Sequence, residues 1–133
     1  MLRSSTLLGV PALVIAFALI AIGDEEQESV YNPSSVVDLT GVVEGIRDVQ
    51  TPASVCGIHF MIRTERGEEI DAYIGPATFV KDFVTTFRGN SPIRVVGSKV
   101  RSGRMTVLLA RELHKGETTL YLRDKEGKPH WVK

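Results

Sequence analysis

From Gly57 to Gly75 the chain reads "GIHFMIRT", "ERG", "EEIDAYIG", and no other stretch narrows the available folds as much. Ile58, Phe60 and Ile62 alternate with His59, Met61 and Arg63, the period of two of a strand with one buried face. Gly67 suits the left-handed position that closes a three-residue hairpin loop. With that loop, Thr64 falls opposite Glu68, Ile62 opposite Ile70, Phe60 opposite Ala72 and Ile58 opposite Ile74. On the other, outward face Arg63 meets Glu69, Met61 meets Asp71 and His59 meets Tyr73. A slip of one residue would turn every apolar side chain outward. The remainder of the chain must therefore cover an antiparallel hairpin with one apolar face.

The flanking segments supply that cover. In "VVDLTGVVEGIRDV", Val37, Leu39, Gly41 and Val43 share a face, and Gly41 inside the strand predicts a bulge or bend there. "GPATFVKDFVTTFRGN" changes period: Phe79, Val80, Phe83, Val84 and Phe87 form one helical stripe, begun near Pro76 and stopped near Gly89 and Asn90. "PIRVVGSKV" and "RMTVLLARELH" flank a turn at Ser102-Gly103. "TTLYLR" and "KPHWVK" flank another from Asp124 to Gly127, with Pro129 interrupting the ladder. Trp131, the single tryptophan, is expected to fold back as an apolar plug. Three strands, a helix and further strands over residues 36–133 match the plan of an OB-fold. The expected fold class is all-β with one short helix: a small closed or partly open OB-fold-like β-barrel. The helix between strands three and four argues against an SH3-like barrel.

Before this domain stands an export segment. Arg3 precedes the apolar run Leu7–Gly23, and Ala21 and Gly23 are small residues before a cut at Asp24. Residues 1–23 therefore read as a signal peptide, and the competing reading is an uncleaved signal-anchor. Residues 24–35, "DEEQESVYNPSS", read as an acidic solvated linker, with Tyr31 the one large apolar group able to pack on the domain. The expected location is periplasmic or extracytoplasmic, with membrane association through residues 7–23.

A single cysteine, Cys56, allows no internal disulfide, so packing has to supply the stability. Charge is unevenly placed: residues 24–82 hold 12 acidic and 4 basic side chains, residues 83–133 hold 4 and 11. Arg94, Lys99, Arg101 and Arg104 make a candidate anion or partner surface. The competing expectation is that strands of the two halves interleave and pair their charges.

Chemistry-bearing residues are few. Cys56, His59 and Met61 lie close together and offer soft donors of the kind that suit Cu(I), making them the candidate metal set. Cys56 shares a face with the other two only if Gly57 forms a bulge; otherwise His59 is expected to hydrogen-bond Tyr73 across the hairpin. Glu69 and Asp71 project together and could serve as acid and base, though Glu69 faces Arg63. His114 and His130 sit in charged segments. No nucleophile-elbow, zinc-protease or phosphate-loop motif occurs. The outward face of the hairpin has one clear stacking ring and two carboxylates, so nucleic acid is not an expected ligand.

The strings "VYNPSSVVDLTGVVEGI", "IGPATFV", "VVGSKVRSGRMTVLLARELHKGE" and "LYLRDKEGKPHW" together resemble the C-terminal domain of the magnetosome proteins MamS and MamX. The resemblance implies a small β-barrel on the periplasmic side, often membrane-associated, and in magnetosome members a part in iron-mineral crystal growth. MamX-type proteins carry C-x-x-C-H haem-attachment motifs, whereas "CGIH" here keeps only Cys56 and His59. No cofactor is expected. The leading expectation is a non-enzymatic, exported binding module with an envelope protein as partner. Periplasmic metal handling through Cys56, His59 and Met61 is the alternative, and an extracytoplasmic single-strand binder using the basic hairpin ranks third.

Overall fold

The computed structural model describes residues 30–51 and 54–132. The expected export segment and the first part of the acidic linker lie outside the described residues. Six strands are formed: β1 (Val36–Val49), β2 (Gly57–Thr64), β3 (Glu69–Gly75), β4 (Pro92–Ser102), β5 (Met105–Lys115) and β6 (Thr118–Tyr121). One helix, α1 (Ala77–Val84), follows β3. The sheet order is β3-β2-β1-β4-β5-β6, and a parallel pairing of β3 with β5, Ala72 to Leu108 and Tyr73 to Leu109, completes a ring of hydrogen-bonded strands. The result is the barrel-like OB-fold plan expected from the sequence.

The ring depends on the length of β1. Its first half, Val36–Val42, pairs with β4, and its second half, Gly41–Val49, pairs with β2. A strand serving both halves must bend, and the ladder shifts between Val43 and Gly45. The bend therefore falls after Gly41, the position expected for it. Gly41 meets a different need, close packing: a Cβ there would collide with the Arg63 carbonyl.

The β2–β3 register runs as expected from Arg63–Glu69 through His59–Tyr73. Only Ile58 departs, facing Gly75 rather than Ile74, because the ladder shifts beside Gly57, whose φ is 134°. Phe60, Ile62, Ala72 and Ile74 pack inward with Ile93, Val95, Leu108 and Leu113. Val80 and Phe87 join that core. Phe83 does not: it is 42 % exposed. After Val84 the helix tightens into a 3-10 turn, Thr85–Phe87. Residues three apart then eclipse, so Phe87 lines up with Val84 and the stripe passes Phe83 by.

Two turns refine the sequence expectations. Ser102 pairs with Met105, so the β4–β5 turn is Gly103-Arg104, one residue later than Ser102-Gly103. Gly103 has φ 64° and no non-glycine residue among the described ones, Arg104 included, has positive φ, the sign pattern of a II′ turn, which matches strand twist. The last turn is at Asp124–Gly127 as expected, but the returning strand is reduced to one bridge, Arg123 to Pro129. Proline has no N–H to continue it.

Candidate functional site

The ring has an apolar interior and also a second apolar layer outside it. Tyr73 on β3, Val100 on β4, and Val107 and Leu109 on β5 form a cluster roofed by Tyr31, Val55 and Trp131. His59 and Tyr73, expected on an open outer face, are 1 % and 5 % exposed. The cover comes from both ends of the domain and from the β1–β2 loop.

The N-terminal part of the cover is stitched down by serine chemistry. Asn32 N–H donates to Ser98 Oγ at 3.0 Å, and Ser98 Oγ donates back to the Asn32 carbonyl at 2.9 Å. Ser35 Oγ lies 2.8 Å from Ser98 Oγ. The Asn32 side chain accepts from Ser34 N–H and caps the turn Pro33–Ser35. The domain thus begins at about Tyr31, and the end of the expected solvated linker is part of it. Tyr31 then lies across Gly127, where any Cβ would overlap its ring.

The C-terminal part of the cover is Trp131. It stands edge-on to Tyr73 with centroids 6.3 Å apart and tilts against Phe79 at 5.3 Å. The expected plug therefore lies over the outer layer and Gly75, beside the barrel wall. Between Tyr31 and Trp131 sits the Arg123 guanidinium, 5.7 and 5.2 Å from the two ring centroids. Arg123 is 9 % exposed. Its Nη1 donates to the Gly127 carbonyl at 3.0 Å, while its buried Nε and the buried Tyr31 hydroxyl have no hydrogen-bond partner. Burial pulls the Arg123 pKa down, yet a guanidinium stays charged in proteins.

On the other flank, His59 Nδ1 lies 2.7 Å from Asp71 Oδ1 and Nε2 lies 2.6 Å from the Val55 carbonyl. A carbonyl and a carboxylate both accept, so an imidazolium with two N–H groups satisfies the arrangement in full. Burial pulls the His59 pKa down, but the Asp71 hydrogen bond, the Val55 carbonyl and the Asp71 charge outweigh it and leave the value raised. The expected His59–Tyr73 hydrogen bond is replaced by ring contact at 5.4 Å.

The remaining sequence candidates fall as follows. Cys56 is exposed, with Sγ 3.4 Å from the Thr51 carbonyl. Met61 is half-buried. Both nitrogens of His59 are engaged, so none of its lone pairs is aimed at a metal position. Among the described residues no three His, Cys, Asp or Glu side chains group as a metal site. Glu69 pairs with Arg63 at 2.8 Å and Asp71 with His59, so the two carboxylates are held by different partners. Arg94 makes two bonds to Asp38, at 2.8 and 2.7 Å. Lys99 lines a groove with Asp38, Glu65 and Glu68. Arg101 and Arg104 are exposed near the β4–β5 turn. Strands of opposite charge do interleave, and of the basic set Arg94 is paired with an acid. His114 bonds Thr119 and Glu112, both at 3.0 Å, and His130 is exposed.

Sequence reasoning missed Arg123. It lies in the charged string "LRDKEGK", which reads as solvated, and only its position opposite Pro129 turns it inward. Tyr31 did carry a signal, as the one large apolar group of the linker.

The model of the MamS/MamX magnetosome protein family matches residues 35–120 of the chain. Comparison with curated proteins and with solved structures gives no match. The matched segment takes in β1 to β5 and most of β6. Tyr31, Arg123 and Trp131 lie outside it.

Proposed function

The chain belongs to the MamS/MamX magnetosome protein family, and on that premise we propose that it acts as a non-enzymatic, exported interaction module of the bacterial cell envelope. The observation that carries this reading is the stitching of Asn32 and Ser35 to Ser98. A short acidic stretch separates these fixed residues from the apolar run Leu7–Gly23. At ~3.3–3.6 Å per residue, that stretch keeps the domain close to whatever holds the run, and the docked Tyr31 sets which end faces it. Such geometry suits presentation of one surface to an envelope partner.

Exposed apolar side chains, Phe83 and Tyr121 among them, offer contact points for that partner. The test is a C-terminal alkaline phosphatase fusion combined with photo-crosslinking from positions 83 and 121 in cells. Phosphatase activity and a discrete crosslinked protein are expected. An inactive fusion, or the absence of a crosslink from both positions, overturns the reading. Mass spectrometry of the N-terminus decides between a cut before Asp24 and a retained anchor. Metal handling by Cys56, His59 and Met61 is the weaker alternative, since both nitrogens of His59 are committed to hydrogen bonds.

A further inference from the structure

We propose that Arg123, with the hydroxyl of Tyr31, forms a binding site for a single oxyanion group, a phosphate or a carboxylate. The inference goes beyond the role of the domain as an interaction module and does not depend on it. Three observations carry it. First, Arg123 is a nine-tenths buried cation whose recorded contacts are two aromatic rings and one carbonyl, that of Gly127, with no carboxylate among the described residues. A desolvated charge is costly without an opposite charge or a full set of hydrogen bonds. The ring faces attract the cation but leave its in-plane donors unanswered.

Second, among the described residues the two buried side-chain atoms that lack partners are Arg123 Nε and the Tyr31 hydroxyl. These atoms belong to two side chains already in contact through the guanidinium–ring stack. Nε–H is a donor and the phenol is a donor as well. Two donors beside a fixed positive charge call for an acceptor carrying negative charge, which is what an oxyanion supplies. Third, Tyr73 belongs to the same outer layer as Tyr31 and stands edge-on to Trp131, whose ring lies against the guanidinium.

The chemistry selects one group of modest size. The planar guanidinium offers Nε and a terminal nitrogen side by side, the fork that grips a carboxylate or a phosphate through two oxygens. The surrounding layer of Tyr31, Tyr73 and Trp131 excludes water and strengthens that contact. An anion seated there would also bind the two ends of the domain together, since Tyr31 and Trp131 flank the guanidinium.

The full-length chain in neutral detergent provides the test, because Trp131 is the only tryptophan and lies against Arg123. Inorganic phosphate and acetate are titrated separately at constant ionic strength with chloride as the balancing salt, reading tryptophan emission and melting temperature. A saturable emission change with a rise in melting temperature is expected for at least one of them, and the responding anion identifies the group. Tyr31→Phe keeps the ring and removes the hydroxyl; it should weaken binding about tenfold, the loss of one hydrogen bond to a charged group. Arg123→Gln should abolish the response. If Arg123→Gln does not fold, Tyr31→Phe decides alone. No saturable response to either anion, or equal affinity in wild type and Tyr31→Phe, overturns the proposal.

Discussion

His59 and Asp71 hold each other diagonally across the β2–β3 hairpin, Asp71 lying two residues along β3 from Tyr73, the residue directly opposite His59, with 2.7 Å between Nδ1 and Oδ1. The pair ties more than two strands together. Through its other nitrogen His59 also holds the Val55 carbonyl, so the β1–β2 loop depends on the same ring.

That dependence predicts a stability that falls with rising pH. The His59 pKa is raised above its usual 6.5. Its contribution is therefore complete below that value and is lost as pH rises through the folded-state pKa. Thermal melts at about pH 6 and about pH 9 should differ more for wild type than for His59→Gln. An identical pH dependence in the two proteins would contradict the charged pair.

Phe60 is buried at the centre of the ring, and Phe60→Ala should cost about 3–5 kcal/mol by lost burial and a residual cavity. Met61 is half-buried on the other face, so Met61→Ala should cost clearly less. Denaturant titrations of both variants measure the difference, and equal losses would reverse the face assignment.

Gly127 and Gly67 both have positive φ, 94° and 86°, so alanine carries a similar backbone penalty of about 1–2 kcal/mol at each. Space separates them: a Cβ at Gly67 meets nothing, while one at Gly127 overlaps Tyr31. Gly127→Ala should therefore destabilise more than Gly67→Ala, and only the former should expose Tyr31 to iodination.

Trp131 covers the outer layer while remaining half-buried. Trp131→Ala should cost about 2–4 kcal/mol, and the native emission should shift to the red on unfolding. Lys125 is exposed at the turn tip, so Lys125→Ala should stay within about 0.5 kcal/mol of wild type. Unfolding curves of the two variants provide the comparison.

The elements that were legible from sequence are those governed by local period. The β2–β3 register followed from alternating Ile58, Phe60 and Ile62 and the position of Gly67, because one face had to be buried. The helix followed from its stripe, though the stripe gives way to a 3-10 turn at Thr85–Phe87 and Phe83 is left on the surface, and no period reveals that. The bend of β1 was expected at Gly41 and falls between Val43 and Gly45 instead, because Gly41 serves close packing against the Arg63 backbone, a long-range contact that no local pattern reveals. The site was least legible. Burial of His59, Tyr73 and Arg123 is imposed by Tyr31, Val55 and Trp131, residues distant in sequence whose approach leaves no local pattern.

The parallel pairing of Ala72 with Leu108 also sets an order of assembly. A growing chain has its β2–β3 hairpin once Gly75 is made, yet one edge of β3 stays unpaired until Leu109 follows. An unpaired edge is a template for joining another chain, and closing a ring between distant segments is slow. Fragments ending before Val107 should therefore remain open to proteases and prone to self-association. Even the complete ring leaves Tyr73 and Leu109 uncovered until Trp131 arrives, so the outer layer is finished only by residues made after the ring can close.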